Sequence, residues 1–300
     1  MATSPDEAMD VIHRRYGAHD GHRALHAKGV LCRATFSPTP RAADLTRAAH
    51  MQAAVPATVR LSNGGGDPTL PDYAPDVRGL AVSFHLPDGS RTDILSQTIP
   101  FFVFKDQEGF FEALRASTPS LSMVARIPLL AVRHPRLVRT LPKNAKAMLS
   151  LPASFASRPY YPFHAVRWID AGGEERWVRY TWRPTVDEPD VSRSDAKRRG
   201  ADYLFDELRE RLAREPVRME LEVQIAGEGD DPHDPSSRWP DSRERVTVGA
   251  LEVTTIDPDA DDGIVFDPMR LTDGIEPSDD PVLRYRPAVY TLSHARRTSS

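Results

Sequence analysis

The tightest constraint on the fold is a pair of strand-like runs joined by a turn. Gly79-Leu80-Ala81-Val82-Ser83-Phe84-His85 is rich in apolar residues, Pro87-Asp88-Gly89-Ser90 supplies the turn, and Arg91-Thr92-Asp93-Ile94-Leu95 returns. Such a unit predicts a β-hairpin and therefore antiparallel pairing. The arrangement recurs, with residues 163–169 and 176–183 predicting a second hairpin about Ala171-Gly172-Gly173. Residues 26–36 predict a strand that begins just after His26 and is ended by Pro38 and Pro40. Val59-Arg60-Leu61-Ser62 predicts another, running into the turn cluster Asn63-Gly64-Gly65-Gly66-Asp67-Pro68. Phe101 to Phe104 is an apolar strand candidate. Val217, Met219, Leu221, Val223 and Ile225 alternate through a half-buried strand, and Val246 to Ile256 is a further one.

Helical patterns lie between groups of strands. Residues 1–20 carry one, residues 41–51 a short one, and 107–150 a longer one interrupted at Pro119, Pro128 and Pro135. The strongest helix is predicted over 192–215, capped by Ser192 and stopped by Pro216. A short C-terminal helix completes the set. Helices placed after groups of strands predict an α+β chain, not a doubly wound sheet. Closure of the antiparallel sheet into a barrel would remove its edges. The expected organisation is an N-terminal arm over residues 1–20 and a core over 21–300.

Composition narrows the function. With 39 basic and 43 acidic side chains the net charge is −4, which leaves no basic stripe for nucleic acid. Cys32 is the single cysteine, so no intrachain disulfide or multi-cysteine zinc site forms. Gly64-Gly65-Gly66 is a turn triplet, and no dinucleotide or phosphate-loop motif accompanies it. The polar start of the chain lacks a signal-type apolar region. No run approaches the roughly 18 apolar residues of a membrane span. A cytoplasmic protein is expected.

Two short segments carry chemistry. His26 lies in Arg23-Ala24-Leu25-His26-Ala27-Lys28-Gly29, and Tyr290 in Arg286-Pro287-Ala288-Val289-Tyr290-Thr291-Leu292-Ser293-His294. A lone histidine is ordinarily structural, and tyrosine is a rare metal ligand because the phenol must lose its proton first. A neighbouring cation favours that loss. Arg286 stands one helical turn before Tyr290, a spacing that puts both on one helix face.

Together these segments resemble the catalase family. Arg23-x-x-His26-Ala27-Lys28-Gly29 is similar to the distal segment and Val59-Arg60-Leu61-Ser62 to the strand that follows it. Asp76-Val77-Arg78-Gly79-Leu80-Ala81-Val82-Ser83-Phe84 resembles D-P-R-G-F-A-V-K-F. Asp93-Ile94-Leu95-Ser96-Gln97-Thr98-Ile99-Pro100-Phe101-Phe102-Val103-Phe104-Lys105-Asp106 resembles D-L-V-G-N-N-T-P-x-F-F-I-R-D. Gly274-Ile275-Glu276-Pro277-Ser278 is an identical pentapeptide. Arg286-x-x-x-Tyr290-x-x-Ser293-His294 resembles the proximal R-L-F-x-Y-x-D-T-H. The matches keep one order from about residue 20 to the end of the chain. They imply a catalase-like antiparallel β-barrel with helical insertions, lacking the C-terminal helical region of full catalases, as in the short catalase-related peroxidases.

The resemblance implies haem b as cofactor and assigns roles. Tyr290 is expected as the axial phenolate ligand of iron, held ionised by Arg286. His26 is the expected distal acid–base group, with Ser62 orienting it. Arg23, Arg60 and Arg297 suit the haem propionates, and Phe110 is expected near the haem face. The family's distal asparagine aligns with Thr98, which offers a hydroxyl in place of an amide. Impaired reduction of the oxidised enzyme by a second hydrogen peroxide follows, favouring a peroxidase that takes hydrogen peroxide or organic hydroperoxides and a small organic reductant. The chain is expected as a monomer or homo-oligomer. The alternatives are a haem-dependent fatty-acid hydroperoxide isomerase or dehydratase, and a non-catalytic haem-binding barrel.

Overall fold

In a computed structural model of the chain, which describes residues 3–116, 132, 134, 137–257 and 263–298, the alternating segments pair into one sheet. Its strands among the described residues are β1 (Gly29–Pro38), β2 (Val55–Asn63), β3 (Arg78–His85), β4 (Arg91–Gln97), β5 (Ala165–Ile169), β6 (Glu175–Pro184), β7 (Val217–Ile225), β8 (Arg245–Ile256) and β9 (Ile275–Pro277). The order is β4-β3-β2-β1-β8-β7-β6-β5-β9, and the neighbours run antiparallel. Both hairpins expected from the sequence are present as β3–β4 and β5–β6.

The sheet is strongly curled. Three strand steps separate β1 from β6, about 14 Å in a flat sheet. Yet the rings of Phe36 on β1 and Trp182 on β6 lie 6.2 Å apart between centroids, and Phe36 meets Phe84 of β3 at 5.1 Å. The concave face therefore folds onto itself around these rings. His50 joins them, stacked on Phe84 at 4.7 Å. Tyr160 and Tyr161 tie the far sides together. Tyr161 exchanges backbone hydrogen bonds with Gln97 at the end of β4, and Tyr160 with Trp182 of β6. Register shifts in β1–β8 at Arg33/Ala34 and in β7–β8 at Leu221/Glu222 add the local bending that curvature needs.

The described helices are α1 (Pro5–Tyr16), α2 (Pro40–Leu45), α3 (Gln107–Ala116), α4 (Leu137–Leu149), α5 (Arg193–Arg199), α6 (Tyr203–Leu212) and α7 (Pro281–Thr298). The segment expected as an arm holds α1, started by a Ser4–Glu7 capping box. Its apolar face, Ala8, Val11 and Ile12, packs against Phe111 and Leu114 of α3, with Tyr285 and Val289 of α7 against the same cluster. Arg296 of α7 pairs with Asp6 and Asp10 at 2.9 and 3.5 Å.

Several boundaries differ from expectation. Phe101 to Phe104 is not a strand but an irregular run. Its apolar character serves ring packing: Phe102 meets Phe110 and Phe163, and Phe104 meets His134. The helix expected over 192–215 is two helices, because Gly200 adopts φ +114° and ends α5. The helix expected over 41–51 is α2 followed by a single 3₁₀ turn at Ala49–Met51. The C-terminal helix is long, at 18 residues, and carries Pro287 inside it. Pro119, Pro128 and Pro135, expected to interrupt the 107–150 segment, lie outside the described residues.

Trp182 is fully buried where the two sides of the sheet meet. Trp182→Ala should cost about 3–5 kcal/mol of folding stability, read from urea unfolding. A loss below about 1 kcal/mol would place the core's weight elsewhere.

Candidate active site

Tyr290 and Arg286 sit one turn apart on α7. The Arg286 guanidinium donates to the Tyr290 hydroxyl oxygen from both Nε, at 2.8 Å, and Nη2. Arg286 is itself held: its Nη1 lies 2.8 Å from His164 Nε2, and His164 Nδ1 lies 2.5 Å from Asp280 Oδ2. Arginine only donates, so His164 Nε2 must accept, and Nδ1 carries the proton that bonds the carboxylate. That tautomer is neutral. Burial pushes the His164 pKa down, with Asp280 opposing the shift. Asp280 has a second task, since its Oδ1 accepts from the Val282 and Leu283 N–H groups and so caps α7. The sequence reading missed His164 and Asp280. Asp280-Pro281 was legible as a helix start, but nothing local links residues 116 apart.

His26 is built differently. Among the described residues it is the one non-glycine with positive φ, +56°, a left-handed conformation costing about 1–2 kcal/mol. Backbone bonds hold it there: His26 and Ala27 donate to the carbonyls of Gly64 and Gly65 at 3.0 Å each, and Arg60 Nη1 donates to the His26 carbonyl at 2.9 Å. Its Nδ1 lies 3.0 Å from Ser62 Oγ. The ring rests on Gly79, where a Cβ would stand 2.6 Å from both His26 Nδ1 and Ser62 Oγ. Only glycine leaves that space. Burial, aided by the charges of Arg60, Arg286 and Arg23, lowers the His26 pKa to about 3. The imidazole is neutral and free to take a proton.

The two segments approach each other. Ala24 N–H reaches Ser293 Oγ on α7 at 3.4 Å. Ala24, Leu25, Phe110 and Val289 pack on one apolar cluster. The three expected propionate partners are placed separately. Arg23 Nη2 donates to the Ile264 carbonyl at 2.7 Å, with its guanidinium 6.0 Å from the Phe266 ring. Arg60 serves the His26 loop. Arg297 Nη2 lies 3.1 Å from His294 Nδ1 on α7.

Thr98 faces away from this group. Its Oγ1 accepts from Arg78 N–H at 3.0 Å. It lines a cavity of about 300 Å³ with Arg78, Lys143, Lys146, Arg158 and Tyr161, a wall that does not include His26. The sheet register explains why. Gly29 opposes Ser62, Ser62 opposes Gly79, and Gly79 opposes Gln97. Directly opposed residues share a face, and the His26 ring lies on the Ser62–Gly79 face. Gln97 is therefore on the His26 side, and its next neighbour Thr98 is not. Thr98 was expected beside His26; its neighbour Gln97 is the residue that the register sets on that face.

Tyr290 Oη thus accepts from two guanidinium N–H groups on α7, and the segment that carries His26 meets the same helix at Ser293. The chain belongs to the catalase family: the family model described as Catalase matches residues 20–300. It is 48% identical to the Catalase-related peroxidase of Mycolicibacterium paratuberculosis, over 98% of this chain and 95% of that protein. It is 31% identical to the Catalase-related peroxidase of Synechococcus elongatus, over 98% and 89%. Against Catalase-2 of Bacillus subtilis the identity is 25%, over 90% of this chain and 43% of that protein. No helix among the described residues is long and apolar enough to cross a membrane.

Three histidines, His26, His50 and His164, have pKa values lowered by burial, the first two to about 3. The unfolded chain binds protons at these positions near pH 6.5 and the folded one does not. Their contribution to stability is therefore complete above about pH 6.5 and is lost as the pH falls toward 3, by up to about 1.4 kcal/mol per pH unit for each. The urea midpoint should fall steadily from pH 7 to pH 4.5; a flat midpoint would mean the imidazoles are charged in the fold.

Proposed function

We propose that the chain is a haem b peroxidase that reduces hydrogen peroxide or an organic hydroperoxide at the expense of a small organic donor, in the cytoplasm. The observation that carries this reading is the proximal set Asp280–His164–Arg286–Tyr290, with neutral His26 as its counterpart. The relatives named Catalase-related peroxidase support the reaction class.

The residues fit a haem. A phenol oxygen backed by a cation suits iron, Phe110 offers an apolar wall, and Arg23, Arg60 and Arg297 are cations suited to propionates. When bound, haem supplies the iron at which the O–O bond is broken and the oxidising equivalents are held. The chain's own residues do the rest. Tyr290 would hold the iron, and Arg286 would keep the phenol oxygen's negative charge compensated and its direction fixed. His26 would accept a proton from the near peroxide oxygen and deliver it to the far one, which leaves as water or an alcohol. Ser62 would keep the ring aimed. Two electrons and two protons from the organic donor would restore the resting enzyme, the near oxygen being released as water.

Any contribution of Thr98 to a preference for peroxidase over catalase chemistry would be indirect, because its Oγ1 accepts from Arg78 N–H and it lines another cavity. On the His26 face the amide donor is Gln97, whose side chain makes no hydrogen bond to any described residue. It is one methylene longer than asparagine, and would give its amide a longer reach from the sheet.

Tyr290→Phe should abolish or grossly change the visible spectrum of the haem-loaded protein while circular dichroism stays that of a folded chain. An unchanged spectrum refutes the ligand. Gln97→Leu should lower the rate of reaction with peroxide by roughly tenfold or more, the worth of a lost hydrogen bond to a reacting group, whereas Thr98→Val should leave it within about twofold. Stopped-flow measurement that finds the reverse order would return Thr98 to the site.

A further inference from the structure

The interior of the barrel holds a histidine with nothing to bond. His50 is 1% exposed. Its face stacks on Phe84, and Nδ1 is buried without a hydrogen-bond partner. No described residue bonds its other nitrogen either. A neutral imidazole has one proton to give and one lone pair to fill, and burial keeps this one neutral. Buried polar groups are otherwise almost always paired, so a partner outside the protein is indicated.

There is room for one. His50 lines a small, half-open cavity of about 30 Å³, together with Tyr180, Thr92, His164 and Leu283. About 10–15 Å³ of such space holds a water, provided polar partners surround it. Tyr180 provides a second partner. Its hydroxyl oxygen accepts from Trp168 Nε1 at 2.7 Å, and its own hydrogen has no acceptor among the described residues. The cavity thus brings together an imidazole and a phenol O–H, both buried and both short of a bond.

We propose that this cavity is a solvent site. One or two waters accept from Tyr180 and bond His50, directly behind His164 of the proximal set. The site is separate from the haem reading: it depends on His50 and Tyr180 alone and stands whether or not Tyr290 binds iron.

A high-resolution crystal structure of the full-length, haem-loaded protein tests it. Density for one or two waters within hydrogen-bond distance of a His50 ring nitrogen and of Tyr180 Oη is expected; a dry cavity overturns the proposal. A second measurement needs no crystal. The unfolding-midpoint shifts of His50→Phe and Tyr180→Phe should fail to add in the double variant, because each removes one end of the same bridge. Additive shifts would mean that no molecule joins the two side chains.

Discussion

One carboxylate fixes the proximal side. Asp280 caps α7 with one oxygen and holds His164 with the other, so the helix start and the hydrogen-bond chain to Tyr290 are set by the same group. Its position follows from the sheet. β9 pairs with β5 so that Pro277 opposes Val166 and Ile275 opposes Trp168. β9 ends at Pro277, and three residues further on the chain places the Asp280 carboxylate within reach of His164. The orientation of α7, the aim of Arg286 and the presentation of Tyr290 all descend from a three-residue strand.

The opposite side is arranged by strain and by a missing side chain. His26 occupies a left-handed conformation that its backbone would not choose. The Gly64 and Gly65 carbonyls, with Arg60 on the His26 carbonyl, offset that cost. Gly29 contributes by absence, since a Cβ there would strike the Arg60 guanidinium at 2.5–2.6 Å. Gly79 does the same for the imidazole. The charges around the ring act with desolvation, since Arg60, Arg286 and Arg23 each disfavour a second proton on it. The same surroundings that keep this histidine neutral also weaken it as a base.

Much of this was legible and some was not, for physical reasons. The β3–β4 and β5–β6 hairpins were readable because turn and alternation are local. The Arg286–Tyr290 pair was readable because helical spacing is local too. Phe101 to Phe104 misled because an apolar run without alternation records burial, and burial was achieved by ring packing. Gly200 was passed over within a strong periodic pattern, although its φ of +114° ends the helix. The placement of Gln97 in place of Thr98 on the His26 face is the most instructive difference. Alignment to a motif tolerates a slip of one position, while a β ladder does not, because each step reverses the face. His164 could not be found at all without the pairing of β5 with β9.

Three neutral histidines, His50 and His164 buried and His26 half-buried, differ in what meets their nitrogens. His164 is satisfied on both, by a carboxylate and a guanidinium, and is rigid. His26 is satisfied on one, by Ser62. His50 is satisfied on neither by any described residue. The same residue type under similar desolvation thus meets three different sets of partners. Burial alone does not distinguish them, because it lowers all three pKa values in the same direction. Only the partner at each ring nitrogen separates them, and each partner is delivered by strand register or by the curl of the sheet.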